Sequence, residues 1–295
     1  MNETAWPALP LAAWKDTRDT IHMYAQMVGK IKLALSPEEP EWAHTALFVT
    51  ARGLTTGPMP CDERALQIDF DFLAHRLALH TCDGDTRSLE LRSRSVADFY
   101  KELMALLHEL NVDVAISPMP QEVPNPIPFD KDTMHSSYDA EYVRRFFRAL
   151  SSMEVVFQQH RARYRGRHTP IQFFWGGFDL AYSRYSGLPA DPPPKANLIM
   201  RKGMDAQEIY AGFWPGDYRF PEAAFASYTY PRPAKIENAA VKPASAAWNE
   251  TLGLFLLRYE DVRTASAPRD VLRAFLSSTY EAGATLAGWD RSRLE

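Results

Sequence analysis

The chain has 295 residues, 46% hydrophobic and 24% charged, with a net charge of −4 and a pI near 6.1. That composition is globular and long enough for two modest domains or one large one, and it supplies no positive field to draw nucleic acid or an anionic membrane. No apolar run approaches the length of a membrane span, and the opening residues lack the basic-then-apolar order of a secretory signal, so a soluble cytoplasmic protein is expected.

A first helix is predicted over Asp16–Leu35, where Ile21, Tyr24, Ala25, Val28, Ile31 and Leu35 form one apolar stripe and Pro37 and Pro40 end it. Strands follow near 44–52 and 67–72, the second alternating Ile68, Phe70 and Phe72 against Gln67, Asp69 and Asp71. Leu77 with Leu79, then Leu89 with Leu91, mark two more around the Asp83-Gly84 turn. Ser95 is placed to cap a helix carrying Val96, Phe99, Leu103 and Leu107, and a short strand is expected over 112–116. The run from Pro118 to Pro128 reads as a stiff polyproline bridge.

Beyond it, a helix over about 139–165 carries Tyr142, Val143, Phe146, Phe147, Leu150 and Phe157. Strands are predicted near 170–185, 207–214, 223–230 and 252–259, and a last helix begins at Pro268. The order helix, four strands, helix therefore occurs twice. The expected fold is α+β: two pseudo-repeated halves of mostly antiparallel strands with helices on one face, divided as 1–117, a bridge over 118–130, and 131–295.

The strands of the second half have an aromatic second face. Phe174, Phe178, Leu180, Ile209, Phe213 and Phe225 take the core parity, and Phe173, Trp175, Asp179, Glu208, Tyr210, Trp214, Tyr228 and Tyr230 the other. Rings with a few carboxylates and hydroxyls are the composition of a small-molecule site, although plain packing is the simpler account of such rings. In the first half, His44 and Arg52 share a parity, as do Asp69 and Asp71. Paired strands would bring them into reach for acid–base or metal chemistry, with a solvated edge as the simpler account. The basic run His160–His168 reads as cations at a helix C-terminus.

No phosphate-binding glycine loop, HExxH, CxxC or nucleophile elbow is present, so no cofactor is specified, and Cys61 and Cys82 make no disulfide framework. The segments Leu9-Pro-Leu-Ala-Ala-Trp14, Val28-Gly-Lys-Ile31, Thr50-Ala-Arg-Gly-Leu-Thr-Thr56, Phe173-Phe-Trp-Gly176, Ala211-Gly-Phe-Trp-Pro-Gly216 and Ser278-Thr-Tyr-Glu281 together resemble a bacterial family of unknown function, DUF5996. The resemblance spans nearly the whole chain and implies one continuous, soluble, bacterial unit; it implies no activity, cofactor or catalytic residue. The family pattern is usually aromatic where Cys61 stands and often His where Gln172 stands. These departures weigh against cysteine chemistry and against a metal ligand at Gln172.

The expected function is small-molecule binding in an aromatic-lined cleft between the halves. Trp175, Tyr210, Trp214, Tyr228 and Tyr230 would stack on the ligand, and Arg52 would help orient it. Glu208 and Asp179 are the candidate catalytic groups for cofactor-free hydrolysis or isomerisation. The alternatives are a non-enzymatic protein using the aromatic face as a homodimer or partner interface, and a metal-dependent enzyme using His44, Asp69 and Asp71.

Overall fold

A computed structural model describes residues 5–295. Helix α1 spans Leu11–Leu35. It starts before the predicted Asp16 because Leu11 and Trp14 add a further buried turn. Its apolar stripe is buried as expected, but so are Thr17, Gln26, Lys30 and Lys32. A helix buried on several faces lies inside the molecule rather than on it.

The first sheet comprises β1 (Phe48–Val49), β2 (Gly53–Thr55), β3 (Met59–Cys61), β4 (Arg64–Asp71), β5 (Arg76–Thr81) and β6 (Thr86–Glu90). Its order is β1-β2-β4-β5-β6, with β3 also paired to β4, and every pairing is antiparallel. Helix α2 (Val96–Glu109) follows, its N-terminus capped as predicted by Ser95, whose hydroxyl accepts from the Asp98 amide at 3.1 Å. Residues 112–116 form no strand; they lead without regular structure into the Pro-rich segment.

Helix α3 (Ala140–Arg161) is capped by Asp139, whose carboxylate accepts from the amides of Glu141 and Tyr142 at 2.9 and 3.1 Å. There follow β7 (Gln172–Phe174), β8 (Asp179–Pro189), α4 (Leu198–Gly203), β9 (Ala206–Trp214), β10 (Ala224–Tyr230), β11 (Ala247–Asn249) and β12 (Leu254–Arg258). Helices α5 (Tyr259–Arg263), α6 (Pro268–Leu286) and α7 (Arg291–Leu294) close the chain. The second sheet has the order β11-β12-β10-β9-β8-β7 and is likewise antiparallel.

The fold is therefore α+β, with six strands in each sheet rather than four. The additional strands β2, β3, β7 and β11 are three residues long, too short for alternation to reveal them, and the strand predicted over 44–52 shrinks to the two residues of β1. The strand predicted over 170–185 is in fact a hairpin that reverses through Trp175-Gly-Gly-Phe178, with Phe178 at φ 59°. The reversal resets the parity. Phe173 pairs with Leu180 and joins the core, whereas Phe174 pairs with Asp179 on the opposite face.

Leu47 and Phe173 exchange two backbone hydrogen bonds of 2.9 and 2.7 Å, so the sheets meet edge to edge at β1 and β7. One hydrophobic core runs from Trp6 through both sheets to Leu276. Trp14 of α1 packs on Phe146 of α3 at 5.3 Å. The N-terminal segment is anchored to late elements: the Tyr259 hydroxyl donates to the Pro7 carbonyl at 2.9 Å and Trp6 lies against the Tyr259 ring. No described helix is long and apolar enough to cross a membrane.

Candidate functional site

Strands β8, β9 and β10 place side chains in rows on the sheet face opposite the helices. Ser183, Tyr210 and Tyr228 are in register, and so are Tyr185, Glu208 and Tyr230. Beside the first row lie Ala181, Gly212 and Ala226. This row is low, and Tyr210 lies across it: a Cβ on Gly212 would come within 2.2 Å of the Tyr210 hydroxyl. The hydroxyl thereby reaches Asp179 and donates to its Oδ2 at 2.8 Å. Tyr228 stacks on Tyr210 at 4.8 Å and 9°, and its own hydroxyl donates to Glu208 Oε1 at 3.2 Å.

The Pro-rich segment supplies a second carboxylate. The Gln26 side chain of α1 donates to the Gln121 carbonyl at 2.7 Å and accepts from the Gln121 amide at 2.8 Å, copying one rung of a strand ladder. The next residue, Glu122, has φ 56° and lays its carboxylate on the hairpin turn, where a Cβ on Gly176 would be 2.7 Å from its Oε1. Glu122, Asp179, Tyr210, Trp214, Arg219 and Tyr228 line a cleft of about 260 Å³. A second hollow of about 220 Å³, walled by Arg18, His22 and Asp217, adjoins it across Glu122 and Gly177.

Burial raises the Asp179 pKa to about 7; the Tyr210 hydrogen bond opposes the rise and the Glu122 charge adds to it. Glu122 is exposed as a residue, yet partial burial of its carboxylate raises its pKa too. Burial likewise lifts Glu208 to about 7, against hydrogen bonds from Ser183 and Tyr228. His22 is held neutral: burial, then the Arg18 charge, lowers its pKa to about 4, and its Nε2 donates to the carbonyls of Trp175 and Gly176 at 2.9 and 3.0 Å.

Of the residues proposed from sequence, Asp179, Tyr210, Trp214 and Tyr228 meet around this cleft. Glu208 is on the same face but 3% exposed beneath the tyrosines. Trp175 lies in the core, its indole donating to the Thr45 carbonyl at 2.9 Å, because it belongs to the turn rather than to a strand face. Tyr230 donates to the Asp191 carbonyl away from the cleft. Arg52 is on the first sheet, paired with Asp71 at 2.8 Å. Glu122 and Arg219 were not predicted. Glu122 is the one charged residue between Pro118 and Pro128, and that lone charge is the signal the sequence carries for it.

The metal set is not assembled. His44 sits in the connection between α1 and β1, accepting from the Glu39 amide at 3.1 Å and stacking on Trp42, while Asp69 and Asp71 lie on β4 with β2 between. Asp71 accepts from the Ala74 amide at 2.9 Å and is held by Arg52. Among the described residues no group of three His, Cys, Asp or Glu side chains could hold a metal ion. Cys61 and Cys82 are free thiols, the first buried and the second exposed.

Glu208 makes a pH-dependent contribution that can be read directly. Its folded pKa of about 7 lies above the ordinary carboxylate value, so the folded state holds the proton more tightly and loses stability as pH rises from about 4.5 to 7. A shift of that size corresponds to about 3 kcal/mol. Glu208→Gln keeps the shape without the charge. Its unfolding free energy is expected to fall less than that of the parent between pH 5 and 8 in urea titrations; parallel profiles would refute the assignment.

The family model for DUF5996, a family of unknown function, matches residues 6–295, and the chain belongs to that family. No curated protein and no solved structure matches it.

Proposed function

We propose that this DUF5996 member binds a small polar molecule in the Asp179 cleft and acts on it by cofactor-free acid–base chemistry of the hydrolase or isomerase type. The observation that carries the reading is the Asp179–Tyr210 pair, opposite a second carboxylate, in an aromatic-walled cleft. With a pKa of about 7, Asp179 is part protonated at neutral pH and can both give and accept a proton. Tyr210, whose pKa burial drives well above the usual phenol value, keeps its proton and serves as a fixed donor. Glu122 is placed to be the partner carboxylate, and Arg219 supplies a cation at the rim. Tyr228 and Trp214 give flat apolar surface for the ligand body.

A ligand-observed NMR screen of polar metabolites tests this. Hits are expected to bind with Kd below about 1 mM and to be lost in both Trp214→Ala and Glu122→Gln. Glu122→Gln keeps the shape of a side chain laid on the hairpin turn and removes only its charge, so an unchanged melting temperature separates loss of binding from loss of structure. Hits that survive both changes, or no hits in any charge class, would sink the reading.

A second reading rests on Tyr218, 68% exposed at the edge of the neighbouring hollow: the face would seat a second copy of the chain. Light scattering decides it, since a dimer that Tyr218→Ser dissociates would make the aromatic face an interface.

A further inference from the structure

A groove of about 830 Å³ lies between the end of α3, strand β8, helix α6 and the C-terminal residues. We propose that it is an anion site for a phosphate group, free or as the monoester of a small molecule, with Arg184 as its floor. It is separate from the Asp179 cleft, which lies on the opposite face of the sheet.

Arg184 is 5% exposed, and its partners are a carbonyl and two aromatic faces rather than a carboxylate. One guanidinium nitrogen donates to the His160 carbonyl, and the cation lies 4.5 Å from the Tyr280 ring centre and 5.0 Å from that of Tyr164. Its Nε has no protein partner. That Nε is enclosed, so the groove meets the guanidinium as a buried positive charge with no hydrogen-bonded carboxylate among the described residues; such a charge is costly, and an anion in the groove would offset that cost through its field. His160 cannot supply charge of either sign: burial, then Arg184, lowers its pKa to about 3, so it is neutral.

The rest of the groove fits an oxyanion. Arg163, from the basic run 160–168, lines it and is exposed. Arg273 and Arg291 also line it; Asp270 holds the first at 2.9 Å, and Glu295 holds the second through two contacts of 2.6 and 3.0 Å. The Arg273 pair is well exposed and rests on one contact, so an incoming phosphate can compete for that arginine, whereas Glu295 grips Arg291 by both oxygens and leaves it to contribute its charge. The acids of the groove are Glu281 and Glu295, and Glu295 is close enough to lend Arg184 part of its field. Arginine is the side chain whose planar fork matches phosphate oxygens, and the Tyr280 face offers an ester's organic group a surface.

Calorimetry on the full chain with inorganic phosphate, phenyl phosphate and phenol tests the site. Saturable binding of the phosphates and none of phenol is expected. Arg163→Ala and Arg273→Ala, outside the core, are each expected to weaken it about tenfold. Tighter binding of phenyl phosphate would identify a monoester as the ligand; equal binding would identify free phosphate. No saturable binding of either phosphate, or binding untouched by both substitutions, would overturn the proposal.

Discussion

Replacing Gly29 with alanine is expected to destabilise the protein by about 3 kcal/mol or more, although alanine is the better helix former. Gly29 is in the middle of α1, and a Cβ there would stand 2.1 Å from the Trp175 ring. The gain in helix propensity and unfolded-state entropy is only about 1 kcal/mol. The overlap cannot be relieved cheaply, because the Trp175 indole is tied to the Thr45 carbonyl at 2.9 Å and Lys30 lies over the ring. Steric cost therefore wins. A melting temperature lowered by at least ~5 °C is expected in calorimetry. In a double-mutant cycle, Trp175→Leu should cancel much of the loss, since the smaller side chain removes the obstacle. A Gly29→Ala protein as stable as its parent would mean that α1 does not approach the hairpin turn this closely.

Asp179→Asn is expected to give a protein that is more stable at neutral pH and, on the proposed acid–base function, one that has lost its activity. Once a substrate is in hand, turnover should drop by about 10²–10⁴, the usual contribution of a positioned acid or base. The parent's pH–rate profile should carry a limb near 7, from the Asp179 pKa of about 7, and the variant should lose it. The stability change has the opposite sign. A carboxyl whose pKa is raised on folding costs stability as pH rises from about 4 to 7, and the amide is free of that cost. Gain of stability with loss of function marks a site held strained for its chemistry. Loss of both together would make Asp179 a structural residue, and loss of neither would remove it from the mechanism.

The four long helices and the long strands were legible because each carries a periodic apolar stripe or face, whereas α4, α5 and α7, six residues or fewer, are too short to show one. Ile68, Phe70, Phe213 and Phe225 fall inside as their alternation predicts. The hairpin at Trp175 was not, because Gly176-Gly177 can be read equally as a gap in one strand or as a reversal, and only the pairing of Phe173 with Leu180 decides. That ambiguity placed Trp175 on the ligand face. Tyr210, Trp214 and Tyr228 share a face as predicted because β9 and β10 are unbroken, and Asp179 joins it because β8 keeps its alternation after the reversal. Glu122 was hidden because its position depends on the Gln26 clamp, a contact between residues 95 apart in sequence, and no periodicity reports such a contact.

The anchoring of the N-terminal segment on Tyr259 has a consequence for biogenesis. Helix α1 leaves the ribosome ahead of the elements that cover it: its Trp14 waits for Phe146, its Gly29 for Trp175, and the residues before it for Tyr259. At ~5–20 residues per second, synthesis from Trp14 to Tyr259 takes roughly 10–50 s. Through that interval the segment before α1 lacks its anchor, and until Phe146 and Trp175 emerge α1 itself is covered only in part, by contacts such as that of Tyr24 with Phe99. Translation speed and chaperone occupancy, rather than the stability of the completed fold, then govern how much of the nascent chain escapes aggregation.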